Sequence, residues 1–85
     1  MTHSSPWRVN DAVAYDLMRA ESGILSRLLL ASIRDEDPLA HDAQRELIEV
    51  RRDAACVDGY DRRAVDALSA RFRSRSSELA GGSLV

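Results

Sequence analysis

Apolar residues recur at helical spacing in three separate runs of this chain, and no stretch shows the one-in-two alternation of β-branched residues that marks a strand. The breaks between the runs carry signals of their own. The two prolines stand at positions 6 and 38, and the four glycines at 23, 59, 81 and 82. Asn10 is a good N-cap for the first run, with Asp11 in its opening turn where a carboxylate suits the helix dipole. Pro38 fits the first position of a helix, where its missing N–H costs nothing, and Asp37 stands before it as cap. Gly59 fits the left-handed residue past a helix end, and Asp61 is placed to cap the third run. The pattern predicts an all-α fold, a three-helix bundle with helices at about 11–34, 38–58 and 62–79. The chain, 1–85, reads as one domain with a flexible arm over 1–9 and a flexible tail over 80–85.

Two of the helices have one apolar stripe each. In the second, Ala40, Ala43, Leu47, Val50, Ala54 and Val57 align, opposed by Arg45, Glu49 and Arg52. In the third, Ala64, Val65, Leu68, Phe72 and Leu79 align. The first helix is broader. Val13, Leu17, Ala20, Ile24 and Leu28 form one stripe, Met18, Leu25 and Leu29 a second flank, and Tyr15, Leu30 and Ile33 lie behind. This arc spans roughly half the circumference, against the stripe of about 100° common on surface helices. Two single-stripe partners leave about five large side chains uncovered, each worth about 1.5–3 kcal/mol when fully buried. The excess is assigned to Met18, Leu25, Leu29, Leu30 and Ile33. With Trp7, a residue type enriched as an interface anchor, these are the expected protein-binding residues. Gly23, inside the helix, costs about 1 kcal/mol relative to Ala, and marks either a close backbone approach or a tolerated imperfection.

Composition narrows the class. Eighty-five residues, 31% charged and 45% hydrophobic, describe a globular chain near the size where one core becomes marginal. The formal net charge of −2 argues against bulk attraction to nucleic acid. A single cysteine, Cys56, cannot form an internal disulfide, which points to a reducing compartment. The opening MTHSSPWRVND lacks the regions of a signal peptide, and Ile24–Ile33, interrupted by Arg27, is far short of the roughly 18 residues of a membrane span. A cytoplasmic protein with no membrane contact is expected.

Candidate chemistry is sparse. DEDPLAH, residues 35–41, gathers Asp35, Glu36, Asp37 and His41, but Asp37 is committed to capping and no second histidine supports a metal. DGYD, residues 58–61, reads likewise as a turn and a cap. Catalysis needs a nucleophile beside a base, and the chain offers only His3 and His41, neither near Cys56 in sequence. No enzyme activity, cofactor or metal is expected. The run Arg71, Arg73, Arg75 could touch phosphates, yet it lacks aromatic interleaving and a recognition-helix pattern, so nucleic acid is disfavoured as a partner.

VDGYDRRAVDALSARF, residues 57–72, preceded by RELIEVRRDAA, resembles the end of small actinobacterial antitoxin-like proteins that accompany zeta-type kinase toxins. In that family the turn more often reads Asp-Pro-x-Asp and a tyrosine closes the motif. Here Gly59 and Tyr60 replace the proline region and Phe72 takes the tyrosine's place. The resemblance implies an acidic bacterial three-helix antitoxin whose first helix blocks a toxin-like or kinase-like partner, with no binding residue matched position by position. The expected function is a non-enzymatic protein-binding module, an antitoxin or other inhibitor acting through its first helix. The alternatives are a homo-oligomeric structural or assembly protein using the same surface, and a small nucleic-acid-binding helical domain.

Overall fold

A computed structural model of the chain describes residues 9–35 and 40–81. They form three helices, α1 (Val9–Arg34), α2 (Ala40–Cys56) and α3 (Arg62–Gly81), with no strand among the described residues. The bundle is the all-α one that the apolar spacing predicts. Among the described residues α1 begins two residues earlier than expected, α2 ends two earlier and α3 runs two further, the usual latitude of fraying termini. Asn10 lies inside the first turn of α1 instead of capping it, and Ala80 and Gly81, expected in the tail, are helical. Trp7, Glu36, Asp37 and Pro38 lie outside the described residues.

The α2–α3 connection is built by two aspartates. The Asp58 carboxylate accepts the Tyr60 amide at 2.9 Å, and the Asp58 carbonyl accepts the Asp61 amide at 2.9 Å. Asp61 then caps α3, its carboxylate accepting the Ala64 amide at 3.1 Å while its carbonyl accepts the Val65 amide at 3.0 Å. An aspartate that mimics a turn and another that satisfies an orphan helix amide account for both acids of DGYD.

α1 is the central element. It packs closely against both α2 and α3, which approach one another much less. Long-range ion pairs fix the directions. Asp11 pairs with Arg62 and Glu21 with Arg73, both at 3.2 Å, so the register advances the same way along α1 and α3. Between α2 and α3 it runs in opposite directions, Asp53 meeting Arg71 and Glu46 meeting Arg75. The topology is up-down-up.

The core takes the expected stripes of two helices. Ala43, Leu47, Val50 and Ala54 of α2 and Val65, Leu68 and Phe72 of α3 are buried, with Val57 and Leu79 packed at the margin. Arg45, Glu49 and Arg52 of α2 are exposed, as the same stripe requires. From α1 the core receives Ala14, Met18, Leu25 and Leu29, of which the last three are at most 1% exposed. Two serines of α3, Ser69 and Ser76, are also buried, and neither hydroxyl has a hydrogen-bond partner.

Candidate functional site

The rotation of α1 reverses the expected use of its faces. Met18, Leu25 and Leu29, assigned from the sequence to a partner-binding surface, are in the core and offer nothing to a partner in this fold. Leu30 and Ile33 are half-buried against the core's edge, so they are not free surface either. The face assigned to the core is the open one. Val13 is 60% exposed, Leu17 45% and Ile24 42%, with Ala20 and Ala31 exposed between and beyond them and Leu28 half-buried at the margin.

The reversal has a physical reason. The Met18–Leu25–Leu29 arc has Tyr15, Leu30 and Ile33 at its edge, so turning it inward removes more large apolar surface from water. The Val13–Leu17–Ile24 stripe is diluted by two alanines. The two carboxylates Asp11 and Glu21 border the inward arc, where α3 presents Arg62 and Arg73 to them. With the opposite rotation those pairs would not form.

The stripe itself runs Val13, Leu17, Ala20, Ile24, Ala31 along one side of α1, in steps of four and three with Arg27 at the intervening position. This is the spacing of a helix–helix seam, and among the described residues no helix lies on it. Asp16 and Arg27, both exposed, border or interrupt the stripe, and neither takes part in an ion pair or side-chain hydrogen bond among the described residues. Gly23 lies partly exposed nearby. A β-carbon there would meet nothing within 4 Å, so no close approach among the described residues requires the glycine.

The arginine run of α3 has structural partners. Arg75 makes a two-pronged bond to Glu46, Nε at 2.8 Å and Nη2 at 3.0 Å, and a third from Nη1 to Glu78 at 2.9 Å. Its hydrogen bonds to Glu46 and then Glu78 hold its guanidinium pKa above the ordinary arginine value. Arg62 is held higher likewise, by Asp66 first and Asp11 second. Arg71 bonds Asp53 and lies 5.4 Å from the Phe72 ring centre, and Arg73 bonds Glu21. A phosphate would have to compete with a carboxylate already in place at each of Arg71, Arg73 and Arg75.

Clefts among the described residues include the following two. One, of about 410 Å³ between α2 and α3, is lined by Asp53, Cys56, Val57, Ala64, Leu68 and Arg71 among others. The Arg71–Asp53 pair spans its wall, and the exposed thiol of Cys56 has no histidine among the lining residues. The other, of about 210 Å³, is lined by Leu29, Ser32, Asp42, Ala43, Glu46, Arg75 and Leu79, where Arg75 is committed to its two glutamates. His41 is exposed, and the described residues contain no group of three or more His, Cys, Asp or Glu able to hold a metal. No helix among them is long and apolar enough to cross a membrane. The open stripe of α1 is therefore the feature with the clearest capacity to do something, and what it can do is bury itself against another helix. Comparison with family models, with curated proteins and with solved structures finds no match to this chain.

Proposed function

We propose that this chain is a non-enzymatic protein-binding module that docks through the open face of α1. The observation that carries the reading is the exposure of Val13, Leu17 and Ile24 in one seam-spaced stripe, on a helix whose other apolar face is already covered by both neighbours. Isolated exposed apolar residues are ordinary, whereas a contiguous stripe of three large ones flanked by charges is how helix-docking surfaces are made. The chemistry of docking is burial of the stripe, with orientation supplied by the unpaired Asp16 and Arg27.

The narrower reading, an antitoxin-like inhibitor of a kinase-like enzyme, draws on the likeness of residues 57–72 to that family. In this fold the aspartates of that stretch build the turn and the cap, and Val65, Leu68 and Phe72 fill the core. Those roles serve any three-helix bundle, so the broader module is the conclusion held here. The test uses immobilised wild-type protein beside a Leu17→Glu/Ile24→Glu variant in extract of the source cells. A protein retained by the wild type and not by the variant, whether another chain or a second copy, is the expected result. Identical retention by both would overturn the reading.

A further inference from the structure

We infer that the occupant of the open face is a second copy of this chain, its α1 packed antiparallel on the first about a two-fold axis at the level of residue 22. The inference rests on the protein-binding reading above and names its partner.

The stripe is complementary to its own reverse. Running α1 against a reversed copy centred on residue 22 sets Val13 opposite Ala31, Ala20 opposite Ile24 and Leu17 opposite Arg27. Each of the first two pairs places a large side chain against a small one, as interdigitating helices require. In the third, the aliphatic stem of Arg27 covers Leu17 and its guanidinium arrives beside Asp16 of the other chain. The pairing occurs twice by symmetry, and it joins two exposed charges that have no ion-pair partner among the described residues of their own chain. The parallel alternative does the reverse. It sets alanine on alanine, leaving voids, and keeps Asp16 and Arg27 about 16 Å apart in height, so neither charge gains a partner across the seam.

The rims of the seam agree. Glu21 would face its own copy across the axis on one side, and Arg73 at 3.2 Å neutralises it within each chain. On the other side Gly23 meets Gly23, where the missing side chain admits a close approach that nothing inside the monomer explains. The surface is small. A helix of 26 residues is about 39 Å long, and a seam about 10 Å wide offers roughly 400 Å² per chain, about half of what a standard stable interface buries. Association is therefore weak, in the class of small transient interfaces.

Charge reversal in trans tests this directly. Sedimentation equilibrium is run on the full chain from about 10 to about 500 µM, a range suited to weak association. Wild type should pass from monomer to dimer. Asp16→Arg alone sets Arg against Arg, Arg27→Asp alone sets Asp against Asp, and each should weaken the dimer at least about tenfold. Mixing the two variants makes both pairs attractive again and should restore association to within about threefold of wild type. Residues 16 and 27 are about 16 Å apart along one helix, so rescue on mixing cannot arise within a chain. Far-ultraviolet circular dichroism of each variant should match wild type, since both positions are exposed.

A wild-type chain that stays monomeric to the top of the range overturns the inference. So does a dimer indifferent to the two reversals, or one that mixing fails to restore. A monomer whose stripe still retains a different protein in the extract experiment also overturns self-pairing, while leaving the protein-binding reading intact.

Discussion

The two apolar faces of α1 have opposite fates. Met18, Leu25 and Leu29 are at most 1% exposed, while Val13, Leu17 and Ile24, displaced around the same helix, are 42–60% exposed. Periodicity reveals that both faces exist, because it reports which residues share a side of a helix. It does not report which side the rest of the chain will cover. That choice is made by volume and by partners: the inward face carries the larger side chains and is bordered by the two carboxylates that α3 can reach.

Truncating one residue on each face of α1 tests the contrast most directly. Leu25→Ala or Leu29→Ala should cost about 2–5 kcal/mol, the range for a large-to-small change in a packed core. Val13→Ala, on the open face, should cost no more than about 0.5 kcal/mol in the monomer. Urea unfolding below the association range reads both. Equal costs would mean that the open face is covered by something within the chain.

The sequence made α2 and α3 legible and left α1 ambiguous. In α2 a single stripe from Ala43 to Ala54 has only one side to bury, so reading the spacing was enough. The caps were equally readable at Asp61, where residue type and position relative to the helix suffice. On α1, Met18, Leu25 and Leu29 were read as partner-facing, and the fold buries them. The ion pairs that orient it join residues 51 and 52 positions apart, beyond any local pattern. A usable signal was present in the alanines: Ala20 and Ala31 make the Val13 stripe poorer in large side chains than its rival. The roles of Arg71, Arg73 and Arg75 were hidden for the same reason, since Asp53, Glu21 and Glu46 lie on other helices and only Glu78, beside Arg75, is local. Ser69 and Ser76 were overlooked because serine gives no apolar signal, although both fall on the inward side of α3.

Those serines sharpen the description of the buried side. The Ser22 hydroxyl of α1 donates to the Arg19 carbonyl at 2.8 Å, whereas the hydroxyls of Ser69 and Ser76 are buried without a partner. Removing an unsatisfied buried hydroxyl recovers about 1 kcal/mol of desolvation, and Ala adds a few tenths through helix propensity. Ser69→Ala should therefore stabilise the protein by about 1–1.5 kcal/mol, read by denaturant midpoint. A loss would show that the hydroxyl is bonded in solution.

The border between the two faces has its own test. Glu21 keeps only 14% of its side chain exposed and depends on Arg73, itself 57% exposed. Arg73→Ala should destabilise by up to about 1 kcal/mol, the upper end for a partly exposed pair, and the effect should shrink in about 1 M salt. No dependence on pH near neutrality comes from the shifted arginines. A raised arginine pKa contributes stability that is complete below the unfolded value and is lost only as pH climbs through the higher folded one, far above neutrality.

A further small effect belongs to the open side, at Gly23. Glycine inside a helix loses more backbone freedom on folding than alanine does, and the usual reason to keep it is a neighbour too close for a β-carbon. Among the described residues there is no such neighbour, since a β-carbon at Gly23 meets nothing within 4 Å. Gly23→Ala should stabilise the isolated monomer by about 0.7 kcal/mol, within the range for glycine replaced at a helical site without strain. The measurement is a thermal melt at low micromolar concentration, where association is absent. A gain of that size confirms that this side of α1 is free in the monomer. A loss would mean that a segment of the same chain already lies across it, and the contrast between a covered and an open face of α1 would no longer hold.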